Sequence, residues 1–535
     1  KLYEFIDLAG GEMLDKRLTE KIRKQITKEF KQTPPRNIEL VKAYHGLIEE
    51  GVIEANDFVL NQIIKRRVRT LSGIANITVM LKAFGCPGKC IFCPSQPGMP
   101  KSYFSNQPAM LRAVRNDFNA YQQVKARLNG LKAQGHDITK IDVRTAGGTW
   151  SSYLDDYQEH FIKSIYYALN EGEGDMQDLE KVNQDLENIT LEELITINET
   201  ANSRCVGLWI ETRPDWVTKK ELTKLRRFGV TGIELGIQTT NDKVNEFNER
   251  GHGIKESIQA TNLSRQVGLK VCHHLMPNLP TSDMASDLQT IKDTFNNPGL
   301  KPDYIKIYPC MVVPYTKLAE MVKKDQSIHK PYTDEELYQI LKTTKLKVPK
   351  YCRIIRILRD FPSELVLQGS KKLNMRQLLA QEGVKCQCVR CREVKDSNFE
   401  NEETEFEIIK YDVTDGVDYF ISIKTNQSDK LIGLVRLFLP NEKTKNNQFL
   451  QDLDQAAIIR ELHVYGQQKT LNQKKYKLKS HSQHKGFGKQ LMQKAEEIAS
   501  QGKFKKIAVI SAIGTRQYYQ KLGYQKADTY MKKQL

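Results

Sequence analysis

The sequence lacks the features of membrane and secreted proteins. No stretch approaches the roughly 18 consecutive apolar residues that span a bilayer, and no signal-peptide pattern stands at the start shown. The ten cysteines fall mostly in two tight groups rather than in scattered pairs. This spacing disfavours a disulfide framework and indicates metal sites in a reducing compartment. We therefore expect a cytoplasmic protein without a membrane partner.

Acidic residues and tryptophan are also scarce. Asp and Glu number 65 against 82 Lys and Arg, which gives a formal net charge of +17, and there are three tryptophans in 535 residues. The hydrophobic content of 39% and the charged content of 27% are typical of a globular protein. The length suffices for about three or four domains. A positive surplus of this size favours a polyanion such as RNA, and a lysine-rich surface with no such partner is the alternative.

The first cysteine group lies in a loop that is broken by glycine and proline. Cys86, Cys90 and Cys93 stand at C-x3-C-x2-C spacing, with Phe92 just before the third cysteine. An iron–sulfur cubane takes cysteine thiolates as ligands, so three cysteines leave one iron for another ligand. Zinc usually takes four N or S ligands, and no fourth Cys or His follows nearby. The alternatives to an iron–sulfur cluster are a zinc knuckle and three inert buried thiols.

This spacing resembles that of the radical SAM superfamily. In that superfamily the open iron binds S-adenosylmethionine (SAM), whose reductive cleavage gives a 5′-deoxyadenosyl radical. The superfamily also carries an aromatic residue before the third cysteine, where Phe92 stands here.

Strand and helix patterns alternate from residue 77 onward. Short apolar segments rich in β-branched residues predict six strands, at 77–81, 141–146, 206–212, 232–238, 269–275 and 304–308. Alternation with helices implies a parallel sheet. Six units are too few to close an eight-stranded barrel, so we predict a partial (β/α)6 barrel in an α/β fold. Active sites of βα barrels lie at the carboxyl ends of the strands, and the cysteine loop follows the first strand.

Polar residues at other strand ends are further candidates for the site. Glycines after the second strand allow the backbone to approach a ligand closely. A structural ion pair between Glu211 and Arg213 is the alternative to ligand contact. His273 and His274 are adjacent in a strand and face opposite sides, so they do not form a paired metal site. The candidates at the ends of the second, third and fourth strands are Gly147, Gly148, Thr149, Glu211, Arg213 and Gln238.

A second cysteine group predicts a structural metal site. Cys386, Cys388 and Cys391 place three thiols within six residues, and Cys310, just beyond the sixth strand, is the candidate for a fourth ligand. A closed four-cysteine zinc site would tie the barrel to the following segment. Free thiols in a flexible segment are the alternative.

A glycine-rich turn near the carboxyl terminus predicts an anion site. Consecutive backbone N–H groups at a helix start bind phosphate oxygens, because glycine permits close approach and the helix dipole favours anions. The pattern Q-x-x-G-x-G after a strand resembles the coenzyme A loop of the GNAT acetyltransferases. A merely structural glycine turn is the alternative. The residues concerned are Gln483, His484, Lys485, Gly486, Phe487, Gly488 and Lys489.

A cationic run precedes the first strand. Lys65, Arg66, Arg67 and Arg69 lie close in sequence to the cysteine loop. Most such runs are solvated faces, but a run at this position is a candidate for contacts with RNA phosphates.

The cluster loop and the coenzyme A loop in one chain resemble the Elp3 family, the radical SAM and acetyltransferase subunit of Elongator. Further matching motifs are SGIA at 72–75, IETRPD at 210–215, RELHVYG at 460–466, AVIS at 508–511 and GTRQYY at 514–519. The resemblance implies four regions: a basic helical segment at 1–70, the radical SAM partial barrel at 71–310, a zinc-binding linker at 311–400 and a GNAT α+β domain at 401–535. The short C-x3-C spacing is that of a non-eukaryotic member, which we expect to work without other Elongator subunits.

The resemblance implies an enzyme that forms 5-carboxymethyluridine at wobble position U34 of tRNA. Its cofactors would be a 4Fe–4S cluster, SAM, acetyl-CoA and Zn²⁺, and it would need an electron donor. Cys86, Cys90 and Cys93 would hold the cluster, and Tyr518 or Tyr519 would act near the thioester. Adjacent helix positions diverge by about 100°, so we expect one tyrosine to pack and the other to act. The implied cofactor-binding residues also include Glu461, Leu462, His463 and Val464.

Two other functions compete with this interpretation. A protein lysine acetyltransferase with a structural iron–sulfur domain is the first, but a charge of +17 would repel basic histone-like tails. A non-catalytic tRNA-binding scaffold is the second, and it leaves both the cysteine loop and the coenzyme A loop unexplained.

Overall fold

The computed structural model describes residues 24, 27–29, 37–54, 59–60, 63, 72–359, 361–372, 374–395, 402–466 and 486–535. After helix α1 (Asn37–Glu49), the first sheet contains strands β1 (Ala75–Met80), β2 (Lys140–Ala146), β3 (Arg204–Thr212), β4 (Gly232–Gln238), β5 (Lys270–Leu275), β6 (Tyr304–Ile307) and β7 (Arg353–Arg356). Each strand pairs with the next in parallel, in the order β1 to β7. The sheet curls into a half-barrel, which confirms the predicted partial barrel.

The helices between these strands are α2 (Pro108–Val114), α3 (Ala120–Lys132), α4 (Asp155–Glu171), α5 (Leu179–Asn188), α6 (Leu191–Asn198), α7 (Lys219–Arg227), α8 (Asp242–Phe247), α9 (Ile254–Gln266), α10 (Met284–Asn296), α11 (Lys317–Lys324) and α12 (Asp334–Lys347). Several begin at side chains that satisfy free backbone donors. Thr218, Asp283 and Thr333 cap α7, α10 and α12, each accepting a hydrogen bond from the backbone N–H three residues later. Among the described helices, none has the length and apolar character needed to cross a membrane.

The seventh strand was not predicted from the sequence. The six predicted strands are all present, but β7 lies within the segment predicted as a linker and pairs in parallel with β6. Its four residues, Arg-Ile-Ile-Arg, are too short and too charged to show a strand pattern. They form a strand because the edge of β6 offers hydrogen-bonding partners, which is a tertiary effect.

The second sheet is mixed, and follows the short helices α13 (Met375–Gln381) and α14 (Val389–Arg392). Its strands are β8 (Thr404–Val413), β9 (Gly416–Thr425), β10 (Leu431–Pro440), β11 (Ala456–Val464), β12 (Lys506–Val509), β13 (Gln525–Lys526) and β14 (Met531–Gln534), with helices α15 (Glu442–Lys445), α16 (Phe487–Gln501) and α17 (Arg516–Gln520). The strand order is β13-β14-β12-β11-β10-β9-β8. All neighbours are antiparallel except β11 and β12, whose parallel pairing covers Ala456–Ile459 and no further residues of β11. The two strands therefore diverge over the second half of β11.

The second sheet packs against the amino-terminal ends of the barrel strands. Tyr530 donates a hydrogen bond to the carbonyl of Val267 just before β5 (2.8 Å), and His463 donates to the carbonyl of Ser72 before β1 (3.0 Å). A Cβ added to Gly268 would lie 2.9 Å from Ile458, so the two domains are in close contact there. Since the cysteine loop is at the carboxyl end of β1, the two predicted chemical centres lie at opposite ends of the barrel.

A buried network of charges joins the two domains. Asp303, just before β6, pairs with Arg460 of β11 and with Arg436 of β10 (3.3 Å). Asp418 of β9 pairs with Arg460 (3.2 Å) and with Arg265 of α9 (2.9 Å), and Arg436 also pairs with Glu461 (2.8 Å). Three cations therefore balance three anions at the interface. Burial opposes the ionisation of Asp303, but Arg460 and Arg436 outweigh it and lower its pKa.

We expect Asp303→Asn to destabilise the whole chain by about 3–5 kcal/mol, because it leaves the buried Arg460 short of a countercharge. The measurement is chemical denaturation. Asp156→Asn, which changes an exposed aspartate on α4, is the matched control and should change the free energy of unfolding by less than about 0.5 kcal/mol. Equal stability of both variants and the wild type would show that the network contributes nothing.

The lowered pKa of Asp303 also fixes the sign of its pH dependence. A carboxyl with a lower pKa in the folded state contributes stability that is fully present above its unfolded pKa, near 3.9. That contribution is lost as the pH falls further. The free-energy difference between wild type and Asp303→Asn should therefore be largest near neutral pH and shrink below about pH 4.

Candidate active site

The loop after β1 brings the thiols of Cys86, Cys90 and Cys93 to the carboxyl end of the barrel. The sulfurs of Cys86 and Cys90 each accept a hydrogen bond. The backbone N–H of Gly88 donates to the Cys86 sulfur (3.4 Å), whose other neighbour is the Thr149 hydroxyl (3.3 Å). Arg250 donates from Nη1 to the Cys90 sulfur (3.1 Å). Burial and the neighbouring Cys90 raise the pKa of the Cys93 thiol to about 12. Phe92 is buried beside Cys90. These donors would stabilise thiolates bound to a metal centre.

The spread of the three sulfurs suits a cluster rather than a single ion. Zn–S bonds of about 2.3 Å would bring tetrahedral ligands within about 3.8 Å of one another. In the described ranges, only one set of three metal-ligating side chains has all its ligand atoms within 4.8 Å, and it lies in the other cysteine group. At least one pair of the barrel-loop sulfurs is therefore more than 4.8 Å apart, which is wider than a tetrahedral zinc site and favours the larger iron–sulfur cubane.

Arg213 lies directly beneath the cysteine loop. A Cβ on Gly88 would sit 2.2 Å from Arg213 Nη1, so a side chain at this position would displace the guanidinium. The guanidinium pairs with Asp215 through two hydrogen bonds (3.0 and 2.9 Å) and donates to the carbonyl of Arg250 (2.7 Å). Its Nη1 is buried without a hydrogen-bond partner. An orphaned cationic donor beside three thiols fits a negatively charged cluster.

The ion pair between Glu211 and Arg213, which was the alternative to ligand contact, does not form, since Arg213 pairs with Asp215 instead. Glu211 accepts a hydrogen bond from the Tyr103 hydroxyl (3.0 Å) and lies 3.7 Å from His274 Nδ1. Its carboxylate lines the same cavity as the cysteines, which favours ligand contact over a structural role.

The glycines after β2 have backbones that other residues adopt rarely. Gly147 and Gly148 have φ of +136° and +99°, and a Cβ on Gly147 would lie 2.9 Å from Leu81 Cβ. The glycine pair thus lets the turn pass close to the end of β1 and places Thr149 beside Cys86.

Gln238 ends β4 in a strained conformation. Its φ is +71°, and the register between β4 and β5 shifts between Leu235 and Gln238. The Gln238 Oε1 atom is buried without a hydrogen-bond partner, and the residue lines the cavity. Strain with an unpaired acceptor at a strand end is typical of a ligand-binding position.

Four ionisable side chains cluster inside the barrel below the cysteine loop. Glu234 accepts hydrogen bonds from Arg144, from His274 (2.8 Å) and from Lys306. Burial opposes its ionisation, but Lys306, His274 and Arg144 outweigh that effect and lower its pKa. Arg144 and Lys306 were not predicted, although charged residues within otherwise apolar strands are a detectable signal. As expected, only one of the two histidines faces inward, because His273 contacts Thr261 of α9 (2.9 Å).

One cavity of about 950 Å³ connects these groups along the length of the barrel. It is lined by Cys86, Cys90 and Cys93 at one end, and by Ser72 and Arg353 at the other. Arg353 hydrogen-bonds the hydroxyl of Tyr465 just after β11 (3.3 Å), so the far end of the cavity adjoins the second domain.

The second candidate centre is the start of α16. Gly486 caps this helix with φ of +78°, and a Cβ on Gly488 would lie 2.5 Å from the Tyr518 hydroxyl. The backbone there can be approached closely, as an anion site requires. Lys489 is exposed and Phe487 is buried under the helix. Gln483, His484 and Lys485 lie outside the described residues.

The two candidate tyrosines differ as predicted. Tyr519 is 6% exposed and packs edge-on against Tyr524, whereas Tyr518 is 39% exposed. Partial burial raises the pKa of Tyr518, so its phenol is protonated near neutral pH, as that of an ordinary tyrosine is. Tyr518 is therefore the candidate for the acting tyrosine.

Comparisons with known proteins agree with this two-centre arrangement. Residues 80–293 match the Radical SAM superfamily, residues 302–384 the Radical_SAM C-terminal domain and residues 390–524 the Acetyltransferase (GNAT) family. A tRNA uridine(34) acetyltransferase of Methanocaldococcus jannaschii is 38% identical over 98% of this chain and 95% of that protein. The chain belongs to the Elp3 family.

Other Elp3 proteins show the same extent of similarity. Elongator complex protein 3 of Schizosaccharomyces pombe is 33% identical over 89% of this chain and 88% of that protein. The solved structure of the archaeal Methanocaldococcus infernus Elp3, with an amino-terminal deletion (1–46), is 35% identical and superposes with a TM-score of 0.72 over 87% of this chain and all of that one. The radical SAM and GNAT families imply an iron–sulfur cluster, SAM and acetyl-CoA as cofactors.

The second cysteine group of this Elp3 chain is compact, but Cys310 is not part of it. The sulfurs of Cys386, Cys388 and Cys391 all lie within 4.8 Å, and hydrogen bonds from the other two thiols lower the pKa of Cys388. Cys310 was predicted as the fourth ligand. It packs instead in a separate apolar cluster with Ile91, because β6 directs the following chain toward the cysteine loop of the barrel.

Two other groups of residues in this Elp3 chain were predicted to bind a cofactor or RNA. Glu461 and His463 face the barrel, where Glu461 accepts a hydrogen bond from Tyr304 and His463 donates to Ser72. Leu462 and Val464 face the side of α16. Cofactor binding by these four residues of β11 stays a prediction. The cationic run Lys65, Arg66, Arg67 and Arg69 lies outside the described residues, and its role in binding RNA also stays a prediction.

Proposed function

We propose that this protein forms 5-carboxymethyluridine at wobble position U34 of tRNA, using SAM and acetyl-CoA. The observation that supports this most is the single cavity that begins at the three cysteines and ends where Ser72 and Arg353 contact the second domain. The cavity therefore runs from the cysteine loop to the boundary with the second domain, over about six strand residues or ~20 Å, so we propose that one reaction draws on both centres. The proposal is consistent with the names of the relatives that the chain resembles.

The residues divide by the groups that they would hold. Cys86, Cys90 and Cys93 would ligate the cluster, and Arg213 and Arg250 would balance its negative charge. Gly147, Gly148, Thr149, Glu211 and Gln238 would orient SAM, whose amino and carboxylate groups need acceptors and donors of these kinds. When bound, the cluster and SAM supply one-electron cleavage and C–H abstraction, which ionic side chains cannot provide.

The second domain would hold acetyl-CoA. The first backbone N–H groups of α16, after Gly486, have no acceptor within the helix and would bind pyrophosphate oxygens. Tyr518, next to Gly488, would hydrogen-bond the thioester or donate a proton to the leaving thiolate. Lys306, His274 and Arg144, held by Glu234, would hydrogen-bond the carbonyl oxygens of a uracil ring.

The decisive experiment is mass spectrometry of tRNA incubated with the reconstituted protein, SAM, a reductant and acetyl-CoA labelled in the acetyl carbons. We expect label in a carboxymethyl group on C5 of U34, with the single chain sufficient and no other Elongator subunit added. Label on protein lysines alone would instead support the lysine acetyltransferase. RNA binding without any label transfer would support the scaffold.

We also propose that Cys386, Cys388 and Cys391 hold a zinc ion. Three thiols within 4.8 Å match the ligand type and separation of a structural zinc site. A triple variant in which Cys86, Cys90 and Cys93 are serine should retain about one zinc per chain and no iron. Adding Cys388→Ser should remove that zinc in elemental analysis. Absence of zinc from the triple variant would contradict the proposal.

A further inference from the structure

Helix α17, which carries the candidate tyrosines Tyr518 and Tyr519, is held by the radical SAM domain. Arg516 at the start of α17 donates from Nη1 to the carboxylate of Glu199, the residue that follows α6 of the barrel (2.7 Å). Lys526 in β13 donates to the same carboxylate oxygen (2.8 Å). One carboxylate of the first domain therefore ties down both ends of the segment that carries the tyrosines.

The ion pair between Glu199 and Arg516 is largely buried. The side chain of Glu199 is 13% exposed and that of Arg516 is 5% exposed. Burial opposes the ionisation of Glu199, but hydrogen bonds from Lys526 and Arg516 outweigh that effect and lower the pKa of the carboxyl. Among the described residues, no other carboxylate pairs with Arg516, so loss of the Glu199 charge would leave a buried guanidinium without its partner.

Glu199 is itself held in place by the end of α6. Asn198, the last residue of that helix, is fully buried, and its Oδ1 accepts a hydrogen bond from the backbone N–H of Cys205 in β3 (2.8 Å). The Asn198 amide donates to the carbonyl of Ser203 (3.3 Å) and to the side chain of Asn170 in α4 (2.8 Å). These contacts fix the end of α6 to the barrel, and with it the residue that follows.

The turn before α17 rests on the same part of the barrel. A Cβ on Gly514 would lie 2.5 Å from Arg204 Cβ and 3.0 Å from the carbonyl oxygen of Cys205, so glycine lets this turn approach the start of β3 closely. Ile513 belongs to the same buried cluster as the barrel residues Tyr166 and Cys205. The barrel therefore helps to set the position of α17 in the GNAT domain.

We propose that Glu199 is a positioning residue for the acetyl-CoA site, and that it holds the Tyr518 hydroxyl at the start of α16 through Arg516. That hydroxyl would hydrogen-bond the thioester, and it lies only 2.5 Å from where a Cβ on Gly488 would stand. A displacement of α17 would move the hydroxyl and leave in place the backbone N–H groups of α16 that would hold the pyrophosphate. This inference rests on the proposed function, and adds that the radical SAM domain contributes a residue to the acetyl-CoA chemistry.

The test is the rate of coenzyme A release in the labelled-tRNA assay, measured with the full reconstituted chain at saturating acetyl-CoA. Glu199→Gln should slow the release by about 10- to 100-fold, because misplacing a reacting group by ~1 Å can cost about 10²-fold. Acetyl-CoA affinity in a calorimetric titration should change by less than about twofold, since the lost contact acts on the rate and not on binding. Iron content and 5′-deoxyadenosine formation without tRNA should not change.

A matched control lies on the same helix. Glu192 pairs with Arg227 at the surface (3.1 Å), and both side chains are mostly exposed. Glu192→Gln removes the same charge from α6 and should release coenzyme A like the wild type, because exposed ion pairs contribute little.

A double variant distinguishes positioning from a general loss of stability. If Glu199 acts through Tyr518, then Glu199→Gln/Tyr518→Phe should release coenzyme A no more slowly than Tyr518→Phe alone, since the hydroxyl to be positioned is already gone. Arg516→Lys retains the charge and should restore part of the rate that Arg516→Gln loses. A thermal unfolding curve shows whether Glu199→Gln is folded. If it is not, Lys526→Gln carries the test with a smaller effect, because the Lys526 side chain is 39% exposed.

The outcomes separate the positioning role from the proposed function. A multiplicative loss in the double variant, or an unchanged rate in folded Glu199→Gln, would overturn the positioning role alone. An unchanged rate in Tyr518→Phe would also overturn it, because the positioned residue would not act. A loss of acetyl-CoA affinity as large as the loss of rate would contradict it in favour of a structural effect on the domain. A wild type that releases no coenzyme A and labels no tRNA would overturn both.

Discussion

Replacing Cys90 with alanine should abolish iron binding and the formation of 5′-deoxyadenosine from SAM, while the chain stays folded. Cys90 is buried next to Arg250, which donates to its sulfur (3.1 Å), and a cluster held by only two cysteines would be lost. The barrel core depends on other residues, such as Ile77, Val143 and Ile210. Iron analysis after anaerobic reconstitution, chromatography of the nucleoside product and a thermal unfolding curve measure the three expectations.

A matched cysteine control is available in the same barrel. Cys205 at the start of β3 is also buried, and burial raises the pKa of its thiol to about 12, as in an inert core cysteine. Cys205→Ala should keep full iron content and SAM cleavage, with a loss of at most a few kcal/mol of stability. Iron and 5′-deoxyadenosine from Cys90→Ala, or their absence from Cys205→Ala, would refute the assignment of the cluster ligands.

The second large effect is expected at Gly488. Gly488→Ala should lower acetyl-CoA affinity by about 10- to 100-fold, the equivalent of one or two lost hydrogen bonds to a charged group. The added methyl group would occupy the approach to the backbone N–H groups of α16, and it would also lie 2.5 Å from the Tyr518 hydroxyl. Calorimetric titration with acetyl-CoA measures the affinity, and the labelled-tRNA assay measures product.

A double variant separates these two causes. Gly488→Ala/Tyr518→Phe removes the hydroxyl and leaves the nearest ring carbon 3.5 Å away, which is an ordinary contact. If the single variant fails because it blocks coenzyme A, the double variant should be as stable as the wild type and should still bind acetyl-CoA more weakly than Tyr518→Phe alone. Recovered affinity would show that the clash with Tyr518 was the cause. Gly130→Ala, in helix α3 with open space around its Cβ, is the neutral control.

Much of the candidate site could be predicted because its chemistry is local in the chain. The thiols of Cys86, Cys90 and Cys93 stand within eight residues, and the turn at Gly486 directly begins a helix. The alternation of apolar strands and amphipathic helices likewise encodes a parallel sheet, since each unit must bury one face against the next. These features depend on the spacing of residues along the chain and on the backbone conformations that each residue type prefers. Both can be read from a single sequence.

Other features depended on which distant segments meet. Cys310 was expected beside the second cysteine group but packs near Ile91, and β7 exists because β6 offers it an edge. The quartet around Glu234 and the interface network around Asp303 draw their members from strands and helices far apart in the chain. A charge that is costly to bury alone becomes stable only when folding supplies its partners. The sequence by itself therefore determined the two candidate loops and the type of fold. The tertiary structure decided which charges pair and where the cavity leads, because contacts between distant residues leave no local pattern.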